Sequence, residues 1–185
     1  LEKKILELGE DNVAAFIAEP IQGAGGVIIP PDSYWPRIKE ILGKYDILFV
    51  ADEVICGFGR TGNVWGSQTM GIKPDILTCA KALSASFLPI SAVMVSEKVY
   101  QALMSESDKI GTWGHGFTYS GHPVAAAVAL EAQKIYDETD LFGHAKRMSP
   151  AFTASDPQIV AALDPILVEH RDRIFNAHFR DPMEY

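Results

Sequence analysis

The sequence predicts an α/β fold with a mainly parallel sheet and flanking helices. Three observations carry this. Short apolar runs recur at residues 13–18, 47–51, 76–79 and 90–95. Segments of helical character, at 34–44, 97–104 and 124–136, lie among and after them. The stretches between are rich in Gly and Pro or in Gly and aromatic residues. Strands alternating with helices build a layered α/β architecture, because each apolar strand needs a helix to cover it.

The elements follow in order. Val13 to Ala18 reads as a buried strand that stops at Glu19, the residue before Pro20, since a residue before proline is pushed out of regular helix. Residues 21–32 are loop by their Gly and Pro content. Asp32 or Ser33 can cap a helix from Tyr34 to Lys44, whose apolar positions Trp35, Ile38, Ile41 and Leu42 share one face. Ile47 to Ala51 is an unbroken apolar run, the pattern of a strand buried on both faces. Residues 57–74 are loop, Ile76 to Cys79 and residues 90–95 are strands, and Glu97 to Met104 is helix. Residues 111–123 form a Gly-rich loop with aromatic side chains, and the Ala-rich segment Val124 to Tyr136 is strongly helical.

Composition bounds the function. The chain has 185 residues, 48% hydrophobic and 22% charged, enough for one domain with a sizeable core. A net charge of -8 without a basic run argues against nucleic-acid binding. No apolar stretch approaches the roughly 18 residues of a membrane helix, and no charged-then-apolar signal sequence opens the chain. The opening Leu1-Glu-Lys-Lys lacks a Met and reads as the interior of a longer protein. Cys56 and Cys79 form no CxxC pair and sit among apolar residues, so they read as ordinary buried thiols, suited to a reducing cytoplasm. His115, His122 and His144 lack zinc-ligand spacing, and no metal site is predicted.

In open parallel sheets, chemistry concentrates at the carboxyl ends of the strands. That rule selects Glu19, Asp52, Lys81 and the loop around Thr118. A carboxylate at the end of a buried strand is costly unless paired. Asp52 is therefore a helix cap, a salt-bridge partner, or the counter-charge for a protonated ring nitrogen such as that of pyridoxal phosphate. Lys81 follows the strand Ile76–Cys79 and leaves two readings open. It snorkels to solvent, or it is a desolvated amine with a lowered pKa that forms an imine and moves a proton between carbons. Ala82, Ser84, Ala85 and Ser86 after it permit close approach. The Thr118 loop, Gly114 to Pro123, offers hydroxyls and free amides before a helix, which suits either a phosphate or an ordinary cap.

Gly57-Phe-Gly-Arg-Thr-Gly62 fits G-x-G-x-x-G by letter only. A dinucleotide fingerprint needs those glycines between a strand and a helix, yet five residues intervene after Ala51 and Asn63-Val-Trp-Gly is no helix opening. Arg60 is expected to pin this loop by hydrogen bonds.

Together the stretches Ala18-Glu-Pro-Ile-Gln-Gly23, Phe49 to Gly62, Lys73-Pro-Asp-Ile-Leu-Thr-Cys-Ala-Lys81 and His115 to Pro123 resemble the class III aminotransferases, a branch of the fold-type-I pyridoxal-phosphate enzymes. The loop wording is most similar to the omega-amine:pyruvate subgroup. The resemblance covers about residues 10–150. It implies a partial large domain of such an enzyme and transamination of an amine or omega-amino acid with a keto acid such as pyruvate. It implies that Lys81 forms the Schiff base with pyridoxal phosphate, that Asp52 holds the pyridine nitrogen and that Val54 packs on the ring face. Thr118 would bind the cofactor phosphate of a neighbouring subunit, so a homodimer is implied. Glu19 would stand near the active site, where some relatives use it to hold an arginine. Ala82-Leu-Ser-Ala-Ser departs from the Gly-rich run that many relatives have after the lysine. Residues 151–185 do not match the family and read as a tail, with an amphipathic helix over 156–170. Two alternatives stand beside transamination: a catalytically incompetent fragment that keeps only the fold core, and an aminomutase or epimerase on the same scaffold.

Overall fold

The computed structural model describes residues 1–154, with side chains through Ser149. Leu1–Lys146 form one compact unit. Of the second, Arg147–Tyr185, only the stretch to Ala154 is described. The helix expected over 156–170 lies outside the described residues.

The elements run α1 (Glu2–Leu8), β1 (Ala15–Ala18), α2 (Tyr34–Lys44), β2 (Leu48–Asp52), α3 (Gly66–Thr69), β3 (Ile76–Cys79), β4 (Ala92–Val95), α4 (Glu97–Ile110), α5 (Pro123–Glu138) and α6 (Leu141–Ala154). The sheet has the order β1-β2-β3-β4. β1 and β2 pair in parallel, Ala15 with Leu48 through Ala18 with Ala51. β2 and β3 are also parallel, Val50 with Ile76 through Asp52 with Thr78. β4 runs antiparallel to β3. The connection from β3 to β4 contains only a 3-10 turn at Lys81–Ser84, and a parallel return needs a longer crossover.

α2 forms where the periodicity places it, and Trp35, Ile38, Ile41 and Leu42 are its buried face. They pack on Ile47, Phe49 and Ala51 of the β2 segment, with Ile72 closing the group. The rings of Trp35 and Phe49 lie 5.4 Å apart, and the Trp35 indole N–H donates to the Pro20 carbonyl at 3.2 Å. Ser33 stands at the N-cap but makes no side-chain cap bond. α1 was not foreseen from the sequence, since its seven residues are too few for a periodic signal. It contributes Ile5 to the core, and Glu2 binds Lys44 at 2.8 Å and Tyr45 Oη at 3.1 Å, which ties α1 to the end of α2. These partners hold the Glu2 carboxyl below its usual range. Ile5→Ala is expected to cost about 3 kcal/mol by leaving a cavity in this core, read as a lower midpoint in urea unfolding.

Four expectations are corrected. β2 is not buried on both faces: Phe49 and Ala51 are buried, whereas Leu48, Val50 and Asp52 are half-buried. Among the described residues the helical cover lies on one side, and Ile17 (62% exposed) and Val93 (65%) stand open. α4 continues to Ile110, because Gly111 in the left-handed region is what ends it (φ 74°). Residues 57–74 are not all loop, since Gly66–Thr69 make one helical turn. α5 begins at Pro123, a proline at the first helical position.

Candidate active site

The parallel pairing brings three strand ends to one edge of the sheet. Glu19 follows β1, Asp52 closes β2 and Lys81 stands two residues beyond β3. The apolar runs of β1 and β2 pack in the α2 core, and β3 is set by its pairing with β2.

Asp52 is neither a helix cap nor a salt-bridge partner among the described residues. Its Oδ1 accepts the Val54 N–H at 3.1 Å and meets Thr78 Oγ1 at 3.5 Å. Both contacts fall on one oxygen, and Oδ2 meets no donor among the described residues. Val54 is half-buried beside it.

The neighbouring carboxylate, Glu53, behaves differently. It is fully buried, and its two oxygens accept the Gly66 and Ser67 N–H groups at 2.8 and 2.6 Å. Its own N–H donates to the Thr78 carbonyl at 2.9 Å. Glu53 thus stitches the start of α3 to the end of β2. Sequence reasoning missed it; the signal was a second acidic residue at a strand end with a Gly-Ser pair downstream, where backbone amides are free.

Lys81 has φ 45°, a left-handed conformation that side chains other than Gly rarely adopt. Its side chain is exposed, so the expected desolvation of its amine is not met by the described residues. The amine has no ion-pair or hydrogen-bond partner among them. Lys81 lines a cleft of about 1030 Å³ together with Ser84, Ser86, Phe117, Tyr119 and His122. The structure therefore brings the lysine turn and the 115–122 loop to one cleft. Thr118 itself does not line it. Thr118 is exposed in a turn closed by the Ser120 N–H to the Phe117 carbonyl and by the Phe117 N–H to Ser120 Oγ, both at 2.9 Å. No side chain caps α5, so the reading of this loop as an ordinary cap fails.

Glu19 Oε2 accepts the Gly23 N–H at 2.9 Å and closes the turn after β1. No arginine pairs with it among the described residues. Arg60 does not pin the 57–62 loop: it is exposed and makes no hydrogen bond there. The loop is held by other means. Phe58 N–H donates to the Val64 carbonyl, Thr61 and Asn63 meet Thr69 Oγ1 at 2.7 and 2.9 Å, and the Phe58 and Trp65 rings pack at 4.9 Å. A Cβ at Gly57 would meet the Glu53 carbonyl at 2.8 Å, so the glycine is required there for close approach.

Cys56 and Cys79 are buried free thiols, and burial pushes both thiols up. No group of three metal-ligating side chains occurs among the described residues, and no helix among them is long and apolar enough to cross a membrane.

With this geometry in place, comparison with known proteins gives a consistent result. The sequence profile of the family "Aminotransferase class-III" matches residues 1–160. The chain belongs to the class III aminotransferases. It is 60% identical over 146 residues to the putrescine–pyruvate aminotransferase of Pseudomonas aeruginosa, covering 79% of this chain and 31% of that one. It is 56% identical over 152 residues to the chloroplastic gamma aminobutyrate transaminase 3 of Solanum lycopersicum, covering 82% and 29%. Among solved structures, the omega transaminase from Pseudomonas jessenii in complex with PMP superposes with a TM-score of 0.77 at 55% identity, over 80% of this chain and 32% of that one. The chain spans about a third of the length of these relatives.

Proposed function

We propose that the whole protein transfers an amino group from an amine or omega-amino acid to a keto acid such as pyruvate, using pyridoxal phosphate in a ping-pong cycle. One observation carries this reading: a lysine amine without a partner among the described residues, in a strained turn, lies just past the end of β3, and Asp52 closes the neighbouring strand β2. The residues fit the cofactor. Asp52 Oδ2 offers the acceptor that a ring nitrogen needs, Lys81 Nζ the amine that its aldehyde needs, and Thr118 Oγ1 a hydroxyl for phosphate. We assign residues 1–150 to the central part of the cofactor-binding large domain and 151–185 to a tail outside it.

Pyridoxal phosphate, when bound, supplies an electron sink for the charge left as a carbon–hydrogen bond breaks. This chain supplies the rest. Lys81 Nζ would be the amine that holds the cofactor aldehyde, and it would accept the proton from the substrate carbon and return it. Asp52, fixed by the Val54 N–H, would hold the pyridine nitrogen and favour its protonated form. Val54 would pack on one ring face, and Glu19, which closes the turn after β1, would support the site. Thr118 does not share the wall of the Lys81 cleft and its hydroxyl has no partner among the described residues, which supports service to a neighbouring subunit in a homodimer. The two neutral buried thiols fit a cytoplasmic enzyme.

The test uses an amine donor labelled with nitrogen-15 and pyruvate. Label is expected in alanine, and Asp52→Asn is expected to slow its appearance about 10²–10³-fold, the loss typical of one aimed electrostatic partner. Label retained on a rearranged or inverted donor sinks transamination and favours the aminomutase or epimerase reading.

A further inference from the structure

The turn that carries Lys81 is an unfavourable piece of backbone. Lys81, Ala85 and Ser86 all have positive φ (45°, 49° and 66°), in a region that only glycine enters cheaply. Such a conformation persists only where the surroundings over-determine it. The turn is also a short 3-10 helix: the Ala82 carbonyl takes only a long bond from the Ala85 N–H at 3.3 Å, and the Leu83 carbonyl takes no backbone donor among the described residues.

Both needs are met from α5. Tyr136 Oη donates to the Ala82 carbonyl at 2.8 Å, and Gln133 Nε2 donates to the Leu83 carbonyl at 3.0 Å. Gln133 and Tyr136 are three residues apart and share a helix face. On α5 the buried positions are Ala125, Ala129 and Ala132, side chains small enough for a close approach. Tyr136 is itself fixed, its ring 5.7 Å from that of Phe142. Burial pushes its hydroxyl up, so it remains a donor through the neutral range.

We propose that Tyr136 and Gln133 are positioning residues for Lys81: their hydrogen bonds to the Ala82 and Leu83 carbonyls hold the strained turn and set the approach of the lysine amine to the cofactor. The proposal rests on the reading of Lys81 as the Schiff-base lysine. Neither side chain touches the reacting atoms, so both act through the turn. α5 also begins one residue after the 115–122 loop, so the same helix that anchors the lysine turn presents the Thr118 segment.

The experiment uses the whole protein loaded with pyridoxal phosphate, unsubstituted and as Tyr136→Phe, Gln133→Met and the double variant. Borohydride capture followed by peptide mass analysis first asks whether the cofactor is bonded to Lys81. No capture at Lys81 in the unsubstituted protein overturns the underlying reading and the proposal with it. Capture there leaves the proposal to be judged on three readouts: the pH midpoint of the visible absorbance of the lysine–cofactor adduct, kcat and KM. The double variant is expected to shift the midpoint by about half a unit or more and to lower kcat about 10- to 100-fold, with KM within about twofold. An unchanged midpoint with unchanged kcat overturns the proposal, whatever happens to Tm, because a purely structural role moves Tm alone. If the double variant does not fold, Gln133→Met is judged by the same criterion.

Discussion

Lys81→Ala in the cofactor-loaded whole protein is expected to lower transamination by about 10⁴-fold or more. Two functions are lost together. On the proposed reading the amine that would bond to the cofactor is gone, and so is the base that would move the proton, a role worth about 10²–10⁴-fold alone. Cofactor is still expected to associate through Asp52 and Thr118, so the loss falls on kcat. The visible band of the lysine adduct disappears, and borohydride no longer fixes cofactor to the chain. A variant that keeps the band or the covalent label rules out Lys81 as the bonded amine. The backbone sharpens the experiment: alanine at φ 45° is strained as lysine is, so Lys81→Ala leaves the turn's energetics nearly unchanged and isolates the amine.

Glu53→Ala is expected to give the largest loss of stability, about 4 kcal/mol. Glu53 is fully buried and its carboxylate takes two short bonds from Gly66 and Ser67. Bonds to an ionised group contribute about 1.5–3 kcal/mol each, and removing the acceptor leaves two buried donors unmade. Glu53→Gln retains one acceptor oxygen and is expected to lose roughly half as much. Urea unfolding followed by circular dichroism reads both. Equal stability of Glu53→Ala and the unsubstituted protein excludes the stitching role. Asp52 adjoins Glu53, so a drop in cofactor affinity of Glu53→Ala without any change at Lys81 is the expected secondary effect.

The sequence exposed most of what local pattern can encode. α2 and β3 fall on the residues the periodicity selects, and all four α2 core positions are buried. Asp52 and Lys81 were legible because apolar runs deliver them to the same sheet edge. What escaped was non-local. β4 reverses direction because of a connection too short for a crossover, which no residue in β4 announces. Glu53 is paired with amides thirteen and fourteen positions away. Gln133 and Tyr136 look like ordinary polar positions of an Ala-rich helix until the lysine turn is folded against them. Arg60 failed for the opposite reason: its fork suggested a loop clamp, yet the loop closes on its own backbone, threonines and rings.

The parallel register has a consequence in time. Ala15 finds Leu48, and Val50 finds Ile76, across intervals of roughly thirty residues, and such pairings must close long loops before any contact rewards them. Asp52 sits on the last rung of those ladders and Glu19 and Lys81 lie just past their strands, so they come together only when the slow steps are complete. Helices such as α2 need only local contacts and are expected to form before that strand edge. The coloured lysine adduct would then act as a clock for the final docking of strands, lagging the far-ultraviolet helix signal when denatured protein is diluted into buffer containing cofactor.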